Sequence, residues 1–227
     1  MTQIFPTLLR RYDATFAARP LLTMMVTNTL LGAIADTTAQ TVTSIRERSL
    51  RQPLPPSPSS AAISTAIHTL DNAISEKPLI PQSTQLPPPF DWGRLARFMS
   101  WGCIVAPFQF KWFQFLSGRY PISAGKGGGG MGALVKRVGL DQLAFAPVGL
   151  AGFFGWMTVS EGGGWGDIKR KFKEVYFDAL RSNYMLWPAV QMINFRLIPL
   201  KFQLPFASSW GILWGTYLSL TNSAAEV

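Results

Sequence analysis

Thiol and imidazole groups are almost absent: the 227 residues include one cysteine, Cys103, and one histidine, His68. A lone thiol excludes a disulfide framework within the chain, and two such residues cannot assemble a Cys/His metal site. Charge is scarce too, at 15% of residues against about a quarter in an ordinary soluble domain. In place of charge the chain is 48% hydrophobic and 13% aromatic, with eight Trp and sixteen Phe. That is long and apolar enough for one sizeable core, and rings in such numbers suit membrane interfaces as well as interiors.

The few charges are lopsided, 21 basic against 12 acidic, giving a net +9. In a soluble protein that excess would point to nucleic acid. Here the basic residues lie between apolar segments, not along one stripe, which fits juxtamembrane loops facing anionic lipid and no nucleic-acid partner.

Four stretches, 21–42, 98–116, 138–160 and 202–220, approach the twenty or so residues needed to cross a hydrocarbon layer. The pattern predicts an all-α, multi-pass membrane helix bundle of about four spans. Ahead of the first span, Ile4, Phe5, Leu8, Leu9, Tyr12 and Phe16 recur at helical spacing beside Arg10 and Arg11, as in a helix lying on a membrane surface. A mitochondrial presequence looks similar, but this stretch is short and carries Asp13. The expected organisation is a surface helix over 1–20, a first span over 21–45, a Pro/Ser-rich flexible insert over 46–90, the remaining bundle over 91–220 and a short tail over 221–227. The AGKGGGGMG run near Gly128 lacks the spacing of a phosphate loop and reads as a turn between spans.

The segment NYMLWPAVQMINFRLIPLKF, residues 183–202, is apolar yet carries amides, an arginine and two prolines. The reading is a short, proline-bounded helix over 184–199, too short to cross by itself, with Trp187, Gln191, Asn194 and Ile198 on one face. Gln191 and Asn194 either bond neighbouring helices or line an aqueous path. Ionisable groups at membrane depth face a bundle interior or snorkel to the headgroups, which singles out Asp36, Lys111 and Asp141. Depth and sign suggest two pairs, Lys111 with Asp141 and Asp36 with Arg196. Gln40 and Gln109 complete the candidate bundle-polar or pore-lining set. Small residues predict close helix packing at Gly32, at Gly149 and Gly152 with Gly155, and at Gly211 and Gly215. With four spans both termini lie on one side, opposite the more basic loops.

YFDALRSNYMLWPAVQMINFRLIP followed by WGTYLS resembles the C-terminal signature of the Mpv-17 / peroxisomal-membrane-protein-22 family, held here by Trp187, Pro188, Gln191, Asn194, Phe195, Pro199, Trp214, Tyr217, Leu218 and Ser219. Pro20, Gly32, Asp36 and Gln40 match the family's first span, Gly102, Pro107 and Trp112 its second, and Asp141, Gln142 and Pro147 its third. The chain departs where Gln203 replaces a usual Arg, where Phe177 replaces a Pro, and in the long insert. The resemblance implies a small integral protein of the mitochondrial inner membrane, or else of the peroxisomal membrane, that acts as a weakly selective pore for small solutes or supports organelle homeostasis. The competing reading is a structural or adaptor protein presenting its Pro-rich insert to a soluble partner. An enzyme is not expected, since no nucleophile or metal constellation appears and no cofactor is implied. The expected partners are the lipid bilayer and, for a pore, small solutes, with a homo-oligomer left open.

Overall fold

Prolines, glycines and caps set where the helices break in this computed structural model, which describes residues 4–50, 89–122 and 129–225. Helix α1 (Ile4–Ala18) ends just before Pro20, which opens α2 (Pro20–Leu50) at a position where its missing N–H leaves nothing unsatisfied. Asp91 caps α3 (Trp92–Arg119), its carboxylate accepting the Arg94 amide at 2.8 Å. Helix α4 (Gly129–Leu140) passes through a π turn (Asp141–Phe145) into α5 (Ala146–Ser160). Gly162, at φ 84°, stops α5; the amides of Gly162 and Gly163 close back on Val159 and Thr158 at 3.0 and 2.9 Å. Helix α6 (Trp165–Lys171) then runs through a second π turn (Phe172–Tyr176) into α7 (Phe177–Leu197). Pro199 forces Ile198 into an extended conformation and ends α7; α8 (Leu200–Ala225) follows. The described residues contain no strand. Most of the expected insert, residues 51–88, lies outside them.

Two sets of contacts mark the ends of the bundle. At one end Gln40 bonds the backbone of Asp91, Trp156 donates to the Arg97 carbonyl at 3.3 Å, and Lys171 meets Glu161 at 2.9 Å. At the other the Tyr12 hydroxyl donates to the Lys201 carbonyl at 2.7 Å, Lys201 bridges Asp13 at 2.7 Å, and Arg137 donates to the Tyr120 carbonyl. Burial and the adjacent Asp13 push the Tyr12 hydroxyl up to about 12, so it stays a donor. Residues 161 and 201 therefore sit at opposite ends, and the continuous rod α6–α7 travels the length of the bundle between them. The stretch expected as a short 184–199 helix is the last part of that rod. Its charged first half, from Asp167 to Arg181, lowers hydropathy without interrupting the helix.

α2 packs between α3 and α8, while α4 and α7 pair beside them. The two groups join through Met24, Phe110, Phe113, Leu134, Phe195 and Leu204, with Phe113 and Phe195 edge to face at 5.3 Å. Along α2 the usual polarity is inverted. Asn28 and Asp36 are 5% and 1% exposed, while Leu22, Val26, Leu30 and Ile34 on the opposite stripe are 51 to 60% exposed. The same holds along the rod formed by α4, the π turn and α5, where Arg137, Asp141 and Gln142 face inward and Val135, Leu143 and Val148 face outward. A water-soluble helix does the reverse. The Gly130–Ser160 helix is long and apolar enough to cross a membrane by length and composition.

Candidate functional site

The π turn is the local device that builds the site. Pro147 has no N–H for the carbonyl four residues before it, and its ring crowds that carbonyl, so the helix widens. The Ala146 amide reaches back five residues to the Asp141 carbonyl. The Gln142 carbonyl thereby loses its usual donor, and the Tyr184 hydroxyl of α7 supplies one at 3.1 Å. Tyr176 donates to the Pro147 carbonyl, also at 3.1 Å. With an extra residue in the turn, Asp141 and its neighbour Gln142 both face the interior, at 3% and 7% exposure.

Around the Asp141 carboxylate three neutral N–H groups converge. Trp112 Nε1 donates to Oδ1 at 3.1 Å; Gln142 Nε2 and Gln191 Nε2 donate to Oδ2 at 2.9 and 2.8 Å. Asn194 extends the chain, its Nδ2 donating to Gln191 Oε1 at 2.8 Å. No described cation bridges Asp141. Arg137, one turn earlier, is turned to the last carbonyls of α3, at Tyr120 and Ser117. Gln142 Oε1 and Asn194 Oδ1 are buried and unpartnered among the described residues, as are Asn183 Oδ1 and Trp187 Nε1 on α7. Buried polar atoms without partners are uncommon, and two of these, on Gln142 and Asn194, belong to the hydrogen-bonded chain around Asp141.

A second cluster lies between α2 and α3. Arg94 Nε meets Asp36 Oδ1 at 2.8 Å, and Gln40 Nε2 donates to Asp36 Oδ2 at 2.7 Å. Gln40 also holds Asp91 by both its amide and its carbonyl. A third contact, Ser208 Oγ to Asn28 Oδ1 at 2.6 Å, ties α8 to α2.

The structure thus brings Asp141, Gln191 and Asn194 together and puts Asp36 with Gln40, but the two groups share no hydrogen bond. Neither expected charge pair forms. Lys111 is exposed, and its neighbour Trp112 reaches Asp141 instead, because one residue on a helix turns the side chain by about 100°. Arg196 is exposed and lies near the Lys201 end, whereas Asp36 lies toward the Asp91 end and takes Arg94. Gln109 is half-buried and joins neither cluster. Phe195 packs in the core; Trp187 and Pro188 are half-buried, and Pro199 is exposed. Trp214 lies on α8, with Tyr217 and Ser219 further along the same helix, their side chains outside the description.

Of the packing glycines, Gly32 lies against the Phe98 carbonyl, where an added Cβ would sit 3.1 Å away, and Gly152 lies 3.0 Å from the Trp101 ring by the same measure. Among the described residues Gly149 meets only the Phe145 ring of its own rod, and Gly211 and Gly215 meet none within 4 Å. The tightest contact is at Gly102, where a Cβ would come 2.7 Å from the Asn28 carbonyl. Sequence reasoning weighed neither Gly102 for packing nor Arg94 and Tyr184 for the clusters. The DQ pair before Pro147 and the small residue between Trp101 and Cys103 were the available signals.

Comparison with known proteins gives a consistent result. A profile for the Mpv17 / PMP22 family matches residues 158–219. The chain is 36% identical to Protein sym1 of Schizosaccharomyces pombe over 216 residues, 95% of this chain and 91% of that one. It is 33% identical to Protein SYM1 of Gibberella zeae over 215 residues, 95% and 97% of the two chains. A vacuolar membrane protein of Saccharomyces cerevisiae is 37% identical over 136 residues, 60% of this chain and 42% of that protein. No solved structure matches.

Proposed function

Because the chain belongs to the Mpv17 / PMP22 family of membrane proteins, we propose that it is a multi-pass organelle membrane protein forming a weakly selective passage for small solutes beside Asp141. The observation that carries this reading is the uncountered Asp141 carboxylate, met by the Trp112 indole and the Gln142 and Gln191 amides, with the Gln142 and Asn194 oxygens unpartnered among the described residues, inside a bundle whose outer stripes are apolar. In a purely structural core such a carboxylate would be paired or replaced by hydrophobic residues at no loss of stability. One carboxylate and a few amides discriminate little among small polar solutes, hence weak selectivity. The Asp141–Gln191 bond joins α4–α5 to α7, so conduction requires these rods to part at that point.

Five rods, α2, α3, α4–α5, α6–α7 and α8, alternate in direction between the two sets of end contacts. We read each as a crossing, so the chain crosses five times and its termini lie on opposite sides. Family resemblance makes the mitochondrial inner membrane the first compartment to examine, ahead of the peroxisome, and the relative named for the vacuolar membrane adds a third.

The test is solute release from liposomes. Wild-type protein should release small polar solutes, and Asp141→Leu or Gln191→Leu should abolish or sharply alter the release in samples of matched helicity. Liposomes that stay tight with the wild type, or release unchanged in both variants, would overturn the proposal.

A further inference from the structure

Where α1 turns into α2, the two helices diverge and leave an open wedge of about 490 Å³, within the range of about 300–1,000 Å³ that small-ligand sites occupy. Its walls are Tyr12, Thr15 and Ala18 on one side and Leu22, Thr23, Val26 and Thr27 on the other, with Arg19 at the apex. The Thr15 and Thr23 hydroxyls are bonded to carbonyls of their own chain, Tyr12 and Arg19, at 2.9 and 3.0 Å, so the wedge presents chiefly carbon. Arg19 is exposed and enters no ion pair among the described residues. The neighbouring acid, Asp13, is already taken by Lys201. An apolar slot with one unanswered guanidinium at its apex complements a molecule with an alkyl body and an anionic head. The apex also begins α2, so it stands at headgroup depth if α2 crosses the bilayer.

We propose that this wedge holds one membrane phospholipid, an acyl chain lying between α1 and α2 with the phosphate on Arg19. The lipid would wedge α1 against the bundle, a position otherwise held by Tyr12 and Phe16 on the core and by the Tyr12 and Asp13 contacts to Lys201. The inference rests on α2 being a crossing, and the experiment separates the two.

Full-length protein in nanodiscs of phosphatidylglycerol is exposed to an analogue bearing a photoreactive group on its acyl chain, and labelled residues are mapped by mass spectrometry. Val148, exposed on α5, reports ordinary annular lipid. Labelling should concentrate on Leu22, Thr23 and Val26. Val26→Trp should empty the wedge, and Arg19→Glu should lower labelling by about fivefold or more, while Val148 is unchanged. Should Val26→Trp not fold, Arg19→Glu and Ala18→Trp carry the test. Labelling of the wedge no stronger than at Val148, or indifferent to these variants, would overturn the proposal. So would cross-linking of the wedge to a second copy of the chain. Absence of label at both places would overturn the crossings themselves.

Discussion

Asp36 and Asp141 are carboxylates buried to the same degree in one bundle, yet their surroundings differ in kind. Asp36 is met by a guanidinium and by an amide that also grips the next helix. Asp141 is met only by indole and amide N–H groups. The first arrangement cancels charge and works as a clamp between α2 and α3. The second holds a carboxylate through neutral donors alone and leaves its charge uncancelled.

The sharpest way to break this contrast is Arg94→Leu, which strands Asp36 with Gln40 alone. The expected loss is about 2–4 kcal/mol, less than for a fully buried pair because the Arg94 side chain is 39% exposed, read from unfolding in nanodiscs. A loss below about 1 kcal/mol would mean that the clamp carries little. Gln191→Leu should come next, at about 2–3 kcal/mol, since it removes a donor from Asp141 and the acceptor of Asn194 at once. It should also change solute release per folded molecule, whereas Arg94→Leu should change only the folded fraction. Packing gives a smaller effect. Gly102→Ala pushes a methyl group into the Asn28 carbonyl and should lose about 1–3 kcal/mol, while Gly211→Ala, with no neighbour among the described residues, should stay within about 0.5 kcal/mol.

The smallest expected effect is on pH. Asp91 is the cap that joins the clamp to α3, and its carboxyl is held below the usual 3.8, first by the Arg94 backbone N–H and further by Arg97. Its contribution is complete above that value and disappears as pH falls through the lowered folded value. Amide exchange in the first turn of α3 should quicken there in the wild type, and Asp91→Asn should remove the acid dependence.

Helicity, the positions of α2, α3 and α8, and the shared buried face of Gln191 and Asn194 were legible because period and apolarity carry that information. Asp141 was legible as costly at its depth, though Trp112 was not legible as its partner, since choosing among neighbours on a turn needs the azimuth of both helices. The rod α6–α7 was missed for a different reason. Hydropathy marks only the greasy half of a helix, and the contacts that place residue 201 beside Tyr12 are separated by almost the whole chain. The glycine repeat in α8 followed the helical period faithfully, yet Gly211 and Gly215 meet no neighbour among the described residues, because a repeat specifies a stripe and says nothing about what lies opposite it.

The π turn at Asp141–Phe145 amounts to a spare residue. Deleting Ala144 would remove that residue from the turn, yet Pro147 would still withhold its N–H, so the backbone would gain no bond there while the inward-facing residues of the turn shifted around the helix. Asp141 and Gln142 would then no longer both face inward, and the Tyr184 hydroxyl would lose its alignment with the Gln142 carbonyl. A tidier helix would thus be a broken protein: the chain keeps a fault in its thread because the fault sets the angle at which two otherwise ordinary helical segments meet their partners.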